Sequence, residues 1–168
     1  GRAAAVSYTS YLVDTEAGFL SYAQPAGSRM WAVSVNYFNY GDLQGTGVDG
    51  SDEGTFGAFD VATGITAAQQ VWGHRLTLGA TAKWIYSGID DYTADAWAMD
   101  LGLLARGPVP GMTLGLSLAN LGSVRSGFTK GYEDSLPVLL RAGVSHSPAH
   151  FPLPVLLSAD VTVPNDND

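Results

Sequence analysis

The sequence predicts an all-β fold: an antiparallel up-and-down transmembrane β-barrel, present as a partial barrel of about nine strands. Three observations predict it. Apolar residues are 46% of the 168 and charged residues only 14%, against about 25% charged in soluble domains. No run of about eighteen apolar residues occurs, so a transmembrane helix is excluded. Apolar residues instead recur at every second position over long stretches, the period of a pleated strand. The 21 glycines, 8 tyrosines and 4 tryptophans agree, because glycine weakens helices and aromatic side chains favour strands.

The elements follow in order. Ala3–Val13 and Phe19–Gln24 alternate least cleanly. Trp31, Val33, Val35 and Tyr37 alternate with Ala32, Ser34, Asn36 and Phe38. Between Phe56 and Ala67, one face collects Phe59, Val61, Ile65 and Ala67. From Arg75 to Tyr86 the pattern is clearest: Leu76, Leu78, Ala80, Ala82, Trp84 and Tyr86 oppose Arg75, Thr77, Gly79, Thr81 and Lys83, with Ile85 the exception. Asp95–Leu104, Met112–Asn120, Val138–Ser145 and Val155–Val161 repeat it. Most of these stretches exceed the roughly 5–6 residues of a soluble strand and suit the roughly 9–11 of a membrane strand.

The connections predict two unlike rims. Short turns are expected at Pro25–Ser28, Gln69–His74, Gly107–Gly111 and Ser147–Pro152. Long loops are expected at Gly41–Gly54 and Gly122–Ser135, with Asp14–Ala17 and Ile89–Tyr92 short on the same side. Short turns on one rim and longer loops on the other are the membrane-barrel pattern. The long loops carry the acidic residues Asp42, Asp49, Asp52, Glu53, Glu133 and Asp134. A β-sandwich is the soluble competitor, but its outer face usually carries Lys, Glu and Thr. Here the non-apolar face is mostly Gly, Ala, Ser and Thr, which suits a barrel interior.

Composition excludes several functions. Cysteine is absent, so there is neither disulfide nor thiol chemistry. The formal net charge is −8 with no basic cluster, which argues against a phosphate-neutralising nucleic-acid surface. No Gly-x-Ser-x-Gly turn occurs, and Gly45-Thr46-Gly47 lacks the Lys-Ser/Thr of a phosphate loop. An enzyme is not expected, and no cofactor is.

The candidate functional residues are therefore few. Lys83, Asp100, Arg141 and Asp160 fall on the small-residue face, as lumen-facing charges. Each would cost a few kcal/mol against hydrocarbon; inside, they can pair across strands or line a lumen. Trp31, Tyr37, Tyr40, Trp72, Trp84, Tyr86 and Tyr92 lie mostly near expected strand ends, where aromatic girdles meet the two interfaces. Asp49-Gly50-Ser51-Asp52-Glu53 is a weak calcium-loop pattern without a glutamate at its twelfth position, which is Asp60. It reads as a solvated acidic loop. His74, His146 and His150 gather near the short turns, with spacing too loose for zinc.

Four stretches resemble the PorV/PorQ family of outer-membrane proteins, itself similar in fold to FadL-type transporters. They are Trp31–Asp42 (WAVSVNYFNYGD), Leu78–Leu104 (LGATAKWIYSGIDDYTADAWAMDLGLL), Leu114–Gly122 (LGLSLANLG) and Leu136–His146 (LPVLLRAGVSH). The resemblance implies a bacterial outer-membrane location. It also implies cargo handling for a type IX-like secretion system, with secreted proteins and other secretion components as partners. A FadL-like transporter of hydrophobic small molecules and a structural surface barrel are the alternatives. Family members carry a leader and an N-terminal plug segment, and further strands after the point matching Asp160. Those parts are expected to lie outside this stretch.

Overall fold

In a computed structural model, which describes residues 1–11, 14–46, 48–127, 136–149 and 153–165, alternation becomes nine strands. They are β1 (Ala3–Ser10), β2 (Glu16–Ala26), β3 (Arg29–Thr46), β4 (Asp52–Val71), β5 (Leu76–Ile89), β6 (Tyr92–Arg106), β7 (Met112–Ser126), β8 (Val138–His146) and β9 (Leu157–Asn165). Each pairs antiparallel with the next, in the order β1 to β9. The sheet is open: β1 and β9 are its two edges and do not pair with each other. No described residue is helical.

Residues directly opposite across a ladder share a face, so the register carries each strand's pattern through the whole sheet. From Trp31 it leads through Ala67, Ala80, Leu101, Leu118 and Leu140 to Val163. One residue along, it leads from Met30 through Ala68, Gly79, Gly102, Ser117 and Arg141 to Thr162. One face is thus built of Leu, Val, Ile, Trp and Tyr, the other of Gly, Ala, Ser and Thr. Burial reveals the curvature. Leu78, Ala80 and Ala82 on the large-residue face are exposed, while Thr77, Gly79, Thr81 and Lys83 on the other are half-buried. Small side chains shield one another poorly on a flat sheet, so the sheet curls towards them. The small-residue face is the concave one.

A stable soluble domain packs two layers around a core. This sheet has one layer. Among the described residues the buried apolar ones are Ala58, Ala96 and Ala98, and no large side chain is fully buried. The accessible surface is 12135 Å², against about 7,900 Å² for a compact monomer of this mass.

The short-turn rim is staggered. The register from Arg29 runs through Gln69, Leu78, Leu103 and Leu116 to Ala142. Arg29 opens β3, whereas β8 runs on past Ala142 to His146. With about 3.3 Å per residue and 4.8 Å per strand, that is about 13 Å of stagger over about 24 Å, or a strand tilt of about 30° if the rim is level.

The structure corrects several sequence boundaries. Gly41–Gly54 is not a long loop: β3 and β4 pair onward to Gly45–Gly54 and Thr46–Asp52. Asp42 is therefore a strand residue opposite Gly57, and Asp52 and Glu53 open β4. Tyr37 and Tyr40 consequently sit inside β3, not at its end. Gly122 is also in a strand, since β7 runs to Ser126. Residues 128–135, with Glu133 and Asp134, lie outside the described residues, as do Val13 and His150. The β8–β9 connection is longer than expected, because β9 begins at Leu157.

Four register shifts interrupt the ladders among the described residues, all in the half nearer the acidic loops; one leaves Glu53 extra between the Gly45–Gly54 and Thr46–Asp52 pairs. Tyr40 and Gly41 together oppose Ala58, and Gly41 takes φ 75°, a conformation open to glycine at no steric cost. Arg125 is the extra residue between the Asp95–Ser126 and Ala96–Val124 pairs. Ala119 and Asn120 oppose Asp100, between Met99–Leu121 and Leu101–Leu118. Asn120 has φ 63°, which asparagine tolerates better than most residues.

Candidate functional site: polar clusters on the concave face

The bulges at Tyr40–Gly41, Arg125 and Ala119–Asn120 each aim a polar side chain. At the third, Lys83 Nζ lies 2.7 Å from Asp100 Oδ1 and donates to Asn120 Oδ1 at 2.6 Å. The Asn120 backbone N–H donates to Asp100 Oδ1 at 2.9 Å, and its side-chain amide donates to the Pro137 carbonyl at 3.0 Å. Three strands, β5, β6 and β7, are joined by one ammonium, one carboxylate and one amide. The left-handed backbone at Asn120 lets its N–H and side chain serve the same ion pair.

The bulge in β3 does the same for a second cluster. Tyr40 Oη donates to Asp60 Oδ2 at 2.7 Å, and Ser87 Oγ donates to Asp60 Oδ1. Asp60 is half-buried on the concave face. Two hydroxyl donors satisfy its carboxylate without a cation, and the Ser87 proton is engaged there. Further along the same face, next to Asp100, Thr66 and Thr81 share a hydrogen bond of 2.8 Å.

The third polar pair faces the other way. Asp95 falls on the large-residue face, opposite Tyr86, and is 8% exposed. Arg125 grips it with two bonds, Nε–Oδ2 at 2.7 Å and Nη2–Oδ1 at 3.0 Å. A two-point guanidinium contact neutralises the charge at the level of Tyr86, Tyr37 and Tyr8, which the register aligns through Val61 and Gly18.

The sequence-expected residues divide accordingly. Lys83 and Asp100 meet. Arg141 and Asp160 lie on neighbouring strands of the concave face, opposite Thr162 and Gly143, and among the described residues neither is in an ion pair. Trp31, Tyr37, Trp84 and Tyr86 share the large-residue face. Trp84 and Tyr86 contact each other with ring centroids 5.8 Å apart, and Trp84 is opposite Trp97. Tyr92 opens β6 beside the β5–β6 turn, and Trp72 stands in the β4–β5 turn. Asp49 occupies the β3–β4 turn, where it accepts from Ser51 Oγ at 2.6 Å and Ser51 N at 3.0 Å. These donors hold its carboxyl below the ordinary aspartate value. His74 bonds Gln70 at 2.5 Å, and His146 ends β8 opposite Met112.

Towards the short-turn rim an open recess of about 460 Å³ is lined by Thr77, Gly79, Gly115, Ser117, Arg141 and Asp160 of the concave face together with Leu103, Leu104 and Leu116. Sequence reasoning missed Asp60, Asn120 and the Asp95–Arg125 pair. One signal for the Asn120 bulge was present: Leu114, Leu116 and Leu118 step by two, then the next leucine is Leu121. The Asp60 partners are 20 and 27 residues away, and only the register brings them together. Compared with known protein families and with curated proteins, the chain matches none.

Proposed function

We propose that this chain is a section of a bacterial outer-membrane β-barrel whose large-residue face meets hydrocarbon and whose concave face lines the interior. One observation carries the reading: the large apolar side chains that have no protein layer over them are concentrated on a single face. Val6, Leu20, Val33, Ile65, Met99, Leu101 and Leu116 are all exposed there. In water, burying apolar surface is worth about 25 cal/mol per Å², so such a face calls for a non-aqueous neighbour. Hydrocarbon is a neighbour that asks for no directional contact. The strand tilt of about 30° is near the 35–45° of membrane barrels, and the free edges at β1 and β9 call for pairing to close the wall.

Within that location, the function is of PorV/PorQ type: handling of cargo proteins for a type IX-like secretion system. The sequence resemblance supports this part. FadL-like passage of hydrophobic small molecules is the second reading, favoured by the glycine-lined recess towards the short-turn rim.

The test is insertion. The full chain is refolded with vesicles whose lipids carry bromine at different acyl depths, and tryptophan emission is followed. Quenching deepest in the acyl region is expected, from Trp31, Trp84 and Trp97. A chain that stays monodisperse in detergent-free buffer, with emission untouched by bromine, overturns the proposal. For the cargo role, deletion of the gene is expected to strip secreted proteins from the cell surface. Retained surface proteins with lost uptake of lipophilic compounds favour the transporter instead.

A further inference from the structure

The turns of the two rims differ in charge. Asp14, Asp49, Asp90 and Asp91 stand in the turns of one rim, while Arg29, Arg75 and Arg106 stand at the other. Two of these arginines face each other. Leu76 pairs with Ala105, and one step further the Arg106 N–H donates to the Arg75 carbonyl at 2.9 Å. Arg75 and Arg106 are thus directly opposed at the start of β5 and the end of β6, on the concave side and two residues beyond Thr77 and Leu104 of the recess. Like charges opposite each other destabilise a sheet, and such a pair in a chain of net charge −8 has carboxylates enough to draw on. Yet the ion pairs among the described residues are Lys83–Asp100 and Arg125–Asp95. Both rim arginines are exposed and neither has a carboxylate of a described residue within 4.0 Å. Thr113, opposite Arg106, adds a hydroxyl on the same face.

We propose that Arg75 and Arg106 form an oxyanion site at the short-turn rim that takes a phosphate group. A phosphate between the two forks converts a repulsive pair into two charge-assisted contacts, each able to be bidentate. The neighbouring turn bears on where that phosphate comes from. Trp72, Gly73 and His74 take φ 50°, 59° and 67° in succession. Gly73 and His74 meet the demand of a two-residue hairpin turn, but a tryptophan at positive φ is strained. The strained backbone carries a Trp72 side chain that is 83% exposed. An indole beside two arginines is the composition of a membrane interface, so a lipid headgroup and free phosphate are the two sources. The site itself stands apart from the membrane reading; its lipid source rests on it.

The full chain in maltoside micelles is titrated with inorganic phosphate and, separately, with short-chain phosphatidylglycerol or phosphatidylcholine, with bound molecules counted by native mass spectrometry. One phosphatidylglycerol is expected to bind at least about fivefold more tightly than phosphatidylcholine, and inorganic phosphate to displace it. R75Q and R106Q are each expected to weaken binding about fivefold, the value of one arginine near an anionic headgroup. R29Q, on the other face, is not. R106Q also removes a repulsion, so its unfolding midpoint is expected not to fall, which separates lost binding from lost folding. Phosphate binding without lipid binding assigns the site to a free anion. Binding of both ligands that R75Q and R106Q leave unchanged overturns the site, as does a wild-type chain that binds neither. Failure to enter vesicles would sink the membrane reading and leave the phosphate result standing.

Discussion

The two faces of this sheet are stabilised by different means, although each residue on one is covalently next to a residue on the other. The large-residue face has few directional contacts, and among the described residues they lie towards the strand ends: Asp95 with Arg125 and Tyr8 with Glu16 on one side, Tyr22 with Gln24 and Arg29 with Gln69 on the other. The concave face has little apolar bulk and holds the Lys83–Asp100–Asn120 and Tyr40–Asp60–Ser87 clusters. One face specifies a medium, and the other specifies partners. The period of two, which the sequence carries plainly, produces that division.

The division predicts its largest effect at adjacent residues. Leu101 and Gly102 are neighbours on β6, opposite Ala80 and Gly79. L101R would put a guanidinium on the large-residue face near mid-strand, costing about 2–4 kcal/mol in a bilayer. G102R would put the same group on the concave face, where an added Cβ meets nothing within 4 Å, and is expected to cost under about 1 kcal/mol. The check is the urea dependence of folding into vesicles for both variants. Equal losses would abolish the distinction between the faces.

A smaller effect is expected inside the concave face. K83M leaves Asp100 and Asn120 without their ammonium. The Lys83 and Asp100 side chains are 20% and 30% exposed, so water relieves part of the loss, and about 1–2 kcal/mol is expected. A double-mutant cycle with D100N isolates the pair. A coupling near zero would mean that the cluster sets no register. The contrast with L101R is sharpened if K83M destabilises in detergent and bilayer alike while L101R is tolerated where detergent can rearrange.

Legibility followed the same line. The apolar face could be read from the sequence because Trp31, Val33, Val35 and Tyr37, or Leu76 through Tyr86, need only their own spacing. The outer part of the β3–β4 hairpin could not. Gly45, Gly54 and Gly57 offer no side chain to alternate, and Asp42 and Gln44 are polar on a face that is apolar lower down. The strand continues there on the backbone ladder and a single apolar pair, Leu43 opposite Phe56. The concave clusters were half legible. Lys83 and Asp100 were identifiable as charges among small residues, but Asn120 depends on a bulge that shifts β7 by one place. Tyr40, Asp60 and Ser87 depend on two registers at once. Residues that act on a medium report themselves locally, whereas residues that act on each other need the ladder.

The smallest effect is expected where neither face matters, at the tip of the β3–β4 hairpin. Asp49 there accepts from the hydroxyl and N–H of Ser51, which lowers its pKa in the folded chain. A group whose folded pKa is depressed contributes stability above its unfolded value and loses that contribution as pH falls through the folded value. The turn is therefore expected to loosen in acid below the ordinary aspartate range. S51A, which deletes the hydroxyl donor, is expected to raise the Asp49 titration midpoint, read by carbon-13 NMR of its carboxyl. The tip is fully solvated, so neither S51A nor acid at this site is expected to move the vesicle-folding midpoint. A shift there comparable to that of K83M would mean that the hairpin tip and the sheet body fold as one unit, and the solvated end of β3–β4 would then have to be counted as part of the wall.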